Sequence, residues 1–110
     1  MPFLPILRAE ELWSGELYAT SREGVSLFLF RDGERVCAFE DRCAHQGVRV
    51  SAGTICAGRI VCPAHLWEYD LATGRGVRPY GFALRPFRTK IADGWISVEI
   101  ARTASEGGEP

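Results

Sequence analysis

Two short segments each set a cysteine just ahead of a histidine, Asp41-Arg42-Cys43-Ala44-His45-Gln46-Gly47 and Val61-Cys62-Pro63-Ala64-His65-Leu66-Trp67, with sixteen residues between His45 and Cys62. His45 and His65 are the only histidines of the chain, so the matched loops point to a metal site held by Cys43, His45, Cys62 and His65. Two thiolates and two imidazoles also make a closed tetrahedral zinc site, as in a structural zinc-binding interaction module. Zinc modules, however, contribute like ligands in pairs, whereas each loop here supplies one of each kind. A binuclear iron-sulfur site accounts for the mixture. If each loop gives its Cys to one iron and its His to the other, two loops clamp the pair symmetrically. Two ferric ions and two sulfides leave two positive charges, which two thiolates cancel while the imidazoles stay neutral. An electron enters that neutral centre more easily than the dianion four thiolates would leave, so His-for-Cys replacement raises the reduction potential, to a range of about −150 to +300 mV.

The scaffold that must hold these loops is small. A chain of 110 residues supports one hydrophobic core, and 46% hydrophobic with 25% charged residues is the balance of an ordinary globular domain. The formal net charge of −1 leaves no excess of cations to neutralise a run of phosphates, which excludes nucleic acid as an expected partner. The start, Met-Pro-Phe-Leu-Pro-Ile-Leu-Arg, has no basic segment followed by a long apolar one, and no window is long enough to cross a bilayer, so no membrane partner and a cytoplasmic location are expected. In that reducing compartment the cysteines at 37, 43, 56 and 62 read as thiols rather than as two disulfides.

Short apolar runs separated by Gly and Asp turns predict an all-β domain, an antiparallel sandwich. Val25 to Phe30 reads as a strand, Asp32-Gly33 as a tight turn and Val36 to Phe39 as the returning strand of a hairpin. Phe87 to Ile91, Asp93-Gly94 and Trp95 to Ile100 repeat the pattern, with Ile96, Val98 and Ile100 alternating against Trp95, Ser97 and Glu99, so one face is buried. Ala9 to Trp13 is long enough for one helical turn, a connector. Between residues 41 and 81 the texture turns to Gly-rich loops with few long apolar runs, the mark of an inserted lobe formed by the two ligand loops. The organisation expected is one domain over 1–101 and a flexible C-terminal tail over 102–110, which has almost no apolar side chain to offset its ordering entropy.

With Gly47 beside it, the pair Cys43-Ala-His45 and Cys62-Pro-Ala-His65 resembles the two ligand loops of the Rieske family. Weaker flanking matches, Leu12-Trp13-Ser14-Gly15-Glu16, Ala64-His65-Leu66-Trp67 and Thr73-Gly74-Arg75-Gly76 with Pro79, resemble the ferredoxin component of bacterial toluene and related aromatic diiron monooxygenases. The resemblance implies one [2Fe-2S] cluster, with Cys43 and Cys62 on the inner iron and His45 and His65 on the outer, exposed iron. It implies a Rieske-type fold and a monomeric electron carrier with no catalytic turnover of its own. The carrier would take one electron at a time from an NADH-dependent ferredoxin reductase and give it to a terminal oxygenase or hydroxylase of the diiron type. The ferredoxin of an aromatic ring-hydroxylating dioxygenase is the alternative within the family. The chain has neither a spare histidine for a mononuclear iron nor a G-x-G-x-x-G fingerprint for a dinucleotide, as a shuttle requires. Redox contacts of this kind are small, below about 1,200 Å².

Respiratory Rieske proteins carry a further Cys in each loop, joined as a disulfide, where this chain has Val48 and Ala64, and a Ser where it has Trp67. Tyr69 stands where a hydroxyl could reach a cysteine sulfur. Fewer donors to sulfur stabilise the reduced state less, which places the potential in the lower half of the range. Away from the ligands, Cys37 reads as a small buried hydrophobe and Cys56 as structural rather than a fifth ligand. Trp67 suits either partner docking or packing beneath the site. Gly47, Gly74 and Gly76 are expected at positive φ, Pro63 stiffens the second loop, and Glu10 with Glu11 forms a solvated turn.

Overall fold

The computed structural model describes residues 3–43, 48–63, 67–78 and 81–100, so the expected tail over 102–110 lies outside the described residues. Among the described residues ten strands form two antiparallel sheets: β1 (Phe3–Arg8), β2 (Leu17–Arg22), β3 (Val25–Asp32), β4 (Arg35–Glu40), β5 (Thr54–Cys56), β6 (Arg59–Val61), β7 (Glu68–Asp70), β8 (Gly76–Arg78), β9 (Pro86–Ala92) and β10 (Trp95–Glu99). The larger sheet runs β1-β10-β9-β4-β3-β2 and the smaller β5-β6-β7-β8. Both predicted hairpins form, β3–β4 with Asp32 opposite Arg35 and β9–β10 with Ala92 opposite Trp95. At the second of these turns Asp93 and Gly94 take φ of 54° and 80°, the left-handed pair that matches the twist of a two-residue hairpin.

The six-stranded sheet closes over itself. Leu27 and Leu29 of β3 share one core cluster with Ile96 and Val98 of β10, although β4 and β9 lie between those strands in the sheet. The halves β1-β10-β9 and β2-β3-β4 therefore face each other as a sandwich, joined where Ala38 and Phe39 pair with Phe87 and Pro86. Alternation then assigns β3 and β4 a second task. Leu27, Leu29, Val36 and Ala38 point into the sandwich, while Phe28, Phe30, Cys37 and Phe39, on the opposite face, belong to a second cluster with Val50, Ile60, Tyr69, Leu71 and Leu84. Both faces of these strands are covered, which is why Val25 to Phe30 reads as a near-continuous apolar run rather than as polar alternation.

Several expectations need correction. The segment 41–81 is not a set of loops alone, because its three-residue strands β5 to β8 build a sheet of their own. Strands this short fall below the span at which periodicity separates strand from loop. The sequence reading also missed β1 and β2, whose mixed polar and apolar residues and whose Pro5 weaken the pattern; β1 and β2 are edge strands, where proline is tolerated. Gly76 is not at positive φ but in β8, whereas Gly74 is, at 79°. The predicted one-turn connector is a 3₁₀ turn over Ala9–Glu11, with Glu10 and Glu11 exposed as expected.

Candidate metal centre

β4 delivers the chain directly into the first loop. Cys43 is 2% exposed, and its backbone N–H donates to the carbonyl of Val48 at 2.8 Å. β6 delivers the second in the same manner, with Cys62 1% exposed and its N–H donating to the carbonyl of Trp67 at 2.7 Å. Each loop thus opens on a buried cysteine and is closed by that cysteine's own amide to the residue five positions on. His45, His65 and Ala64, and with them Gly47, lie outside the described residues; the two cysteines at the loop entrances are within them and share one core cluster. No disulfide joins any of the four cysteines.

The floor of the site is tertiary. Tyr69, from the middle of β7 and wholly buried, places its hydroxyl 3.3 Å from Cys43 Sγ. A phenol removed from water needs a partner, and with the sulfur as thiolate it is the donor. The expectation that Tyr69 reaches a cysteine sulfur is met, and the cysteine is Cys43. Beneath the first loop, Asp41 is 4% exposed and accepts hydrogen bonds from the Ser51 amide at 2.8 Å and from the Ser51 hydroxyl, while its own N–H donates to the Ser26 carbonyl. Sequence reasoning missed this pair. Its only signal is an Asp and a Ser a few residues outside the loop ends, and neither spacing nor propensity shows that the carboxylate is buried.

Gly53 ties the two loops together. A Cβ there would overlap the Val61 carbonyl, the residue before Cys62, so the chain leaving the first loop runs against the chain entering the second. Gly74 makes a similar approach, where a Cβ would lie 2.5 Å from the Phe39 ring. Trp67 is half-buried, its ring 4.6 Å from that of Phe82, which is 44% exposed; Trp67 packs on the cluster of Tyr69 and Cys62, the packing role of the two it suits by sequence. Pro63 is exposed in the turn of the second loop.

The other cysteines are apart from this arrangement. Cys37 is half-buried on the outer face of β4, its thiol 3.6 Å from the Ala72 carbonyl. Burial pushes its pKa above the ordinary value of 9.0, with Asp32 and Asp70 adding to the shift and Arg35 opposing it. Cys56 is exposed at the end of β5.

Two buried sulfurs at the entrances of twin loops, one of them with a phenol donor, fit a group that takes thiolate ligands in a dry site. The comparisons with known proteins agree. The model of the Rieske [2Fe-2S] domain matches residues 3–83. The ferredoxin component of the alkene monooxygenase system of Xanthobacter autotrophicus (strain ATCC BAA-1158 / Py2) is 24% identical over 106 residues, covering 96% of this chain and 87% of that protein. A complex of reduced oxygenase and oxidized ferredoxin in carbazole 1,9a-dioxygenase contains a chain with a TM-score of 0.78 and 28% identity, covering 87% of this chain and 91% of that one. The ferredoxin of carbazole 1,9a-dioxygenase from Nocardioides aromaticivorans IC177 gives 0.73 and 26%, covering 86% and 96%. No helix among the described residues is long and apolar enough to cross a membrane. The chain belongs to the Rieske [2Fe-2S] family as a ferredoxin, an electron carrier with one [2Fe-2S] cluster.

Proposed function

We propose that Cys43, His45, Cys62 and His65 are the cluster ligands and that the protein carries single electrons from an NADH-dependent ferredoxin reductase to a terminal diiron monooxygenase of the toluene type. It does so as a cytoplasmic monomer. The observation that supports the ligand assignment is the pair of loops, each beginning on a buried cysteine and closed by the bonds Cys43 N–H to Val48 and Cys62 N–H to Trp67. When bound, the cluster supplies a reversible one-electron step. The protein's part is to hold two thiolates in the dry floor, orient one by the Tyr69 hydroxyl, and carry both histidines on the loops. The relative from an alkene monooxygenase system and the flanking match around Leu66-Trp67 favour a monooxygenase partner. The likeness to ferredoxins of carbazole 1,9a-dioxygenase supports the second reading, a ring-hydroxylating dioxygenase.

Purified protein reconstituted with iron and sulfide should be coloured, bind two irons and two labile sulfides per chain, and give a paramagnetic signal after reduction. His45→Cys and His65→Cys variants should lower the midpoint, whereas Cys56→Ser should leave the spectrum unchanged. A colourless zinc-loaded protein would reject the ligand assignment. Supplying the protein and a reductase to a toluene-type diiron hydroxylase, and separately to a ring-hydroxylating dioxygenase, and following NADH-coupled product formation decides between the two partners.

A further inference from the structure

Charge is spread unevenly over a chain whose sum is only −1. Residues 41–85 hold six arginines against three acids, a net of +3, so the remainder carries −4. Burial sharpens the contrast. Arg42, Arg49, Arg59 and Arg75 are exposed, while Asp41 is buried and Glu68 and Asp70 are half-buried, so among the described residues of this segment no carboxylate is exposed. Exposed acids gather at the other end. Glu10, Glu11, Glu16, Asp32 and Glu34 surround the β3–β4 turn and outnumber the cations there, Arg8, Arg31 and Arg35; the Gly33 amide donates to Ser14 Oγ at 2.8 Å and Arg31 donates to the carbonyls of Ala9 and Leu12. β4 runs from that turn to the first ligand loop, a span of roughly 20 Å.

Arg42 and Arg49 are the arginines next to the loops. They stand immediately outside Cys43 and Val48, whose mutual hydrogen bond brings the two ends of the loop together, and both line one recess of about 390 Å³ with Gly24, Val25, Ser26 and Glu40. Among the described residues neither guanidinium forms an ion pair. Of the acids near them, Asp41 is committed to Ser51, Glu40 is half-buried, and Glu23 on the adjoining β2–β3 turn is exposed without pairing to either. Two exposed cations left uncompensated beside a buried redox site attract opposite charge, and an acidic far end repels it, so an approaching anionic surface is turned toward the loops.

We propose that the redox protein meeting the ligand-loop end of this chain does so through a carboxylate-rich face, received by Arg42 and Arg49. This rests on the reading of the two loops as the place of electron exchange. The test uses small reagents that sense the local potential. Reduced holoprotein is mixed in stopped flow with hexacyanoferrate(III), which takes one electron and becomes hexacyanoferrate(II), or with hexaammineruthenium(III), which becomes the ruthenium(II) ion. The bimolecular rate with the anion should fall roughly fivefold between about 10 and about 200 mM salt, as screening shortens the reach of the arginines. The rate with the cation should rise. A body governed by its net charge of −1 gives the opposite signs, and an anion rate that is flat or rising with salt overturns the proposal.

In the Arg42→Glu/Arg49→Glu variant both slopes should reverse. If that variant does not retain its colour, Arg49→Glu alone should lose at least half of the wild-type salt dependence. A second readout needs no cluster: a fluorescein-labelled polyglutamate peptide should bind the wild type at low salt and bind the double variant at least fivefold more weakly by anisotropy. Equal binding by both proteins overturns the docking surface. Absence of colour and of reaction with either reagent overturns the cluster reading instead, while the peptide measurement still reports on the arginines.

Discussion

The hydroxyl of Tyr69 has given up water, and its acceptor is the Cys43 sulfur, which would carry charge as the proposed iron ligand. Such a bond strengthens when the electron count of the site rises, so its loss disfavours reduction. Tyr69→Phe keeps the buried ring and should lower the midpoint by about 40 mV, the equivalent of roughly 1 kcal/mol on a one-electron couple, as read by voltammetry. With Trp67 standing where respiratory relatives have a serine, the wild-type midpoint should itself lie in the lower half of about −150 to +300 mV. At Cys37 the thiol form is favoured by burial. Its contribution to stability is therefore present below pH 9.0 and lost as pH rises through the raised pKa. Iodoacetamide near neutral pH should label Cys56 first and Cys37 at least about tenfold more slowly, as followed by peptide mass spectrometry. Equal rates would mean that the face of β4 opens readily.

At the scale of elements, two devices set the loops relative to each other. Asp41 and Ser51 brace the first loop from below, and Gly53 lets the chain leaving it run against Val61 at the mouth of the second. Any side chain at 53 pushes on backbone rather than on a flexible tip. Gly53→Ala should therefore cost about 2 kcal/mol in denaturant unfolding and lower the iron content of purified protein, because the displacement is passed to Cys62. Gly74→Ala meets a ring and a positive φ instead, and should destabilise by a similar amount without loss of iron per folded chain. β3 and β4 show why the lobe is not an appendage: their phenylalanines and Cys37 form the base on which Ile60, Tyr69 and Leu71 rest.

For the whole molecule, the two cores imply two levels of stability. The sandwich core is closed by apolar packing alone, whereas the second cluster includes Cys43 and Cys62 and, with those sulfurs as the proposed ligands, would depend on the metal they hold. Removing iron with a chelator under reducing conditions should lower the melting temperature. Amide protection should be lost first over β5 to β8, while β3, β4, β9 and β10 stay protected, as hydrogen exchange can resolve. Simultaneous loss in both sheets would show a single cooperative unit.

The local chemistry was legible from residue types and spacing. Paired Cys-His loops, the Asp32-Gly33 and Asp93-Gly94 turns and the alternation of Ile96, Val98 and Ile100 are decided within a few residues of chain. Three-residue strands, the edge strand carrying Pro5 and the second buried face of β3 leave too little periodic signal to read. Only the tertiary structure decided that Tyr69 serves Cys43, that Asp41 is buried against Ser51, that Gly53 abuts Val61, and that Arg42 and Arg49 line one recess with Ser26. Each of these is an apposition of residues ten or more positions apart or on different elements. The free energy that selects such contacts lies in burying both partners at once, which no single segment of the sequence contains.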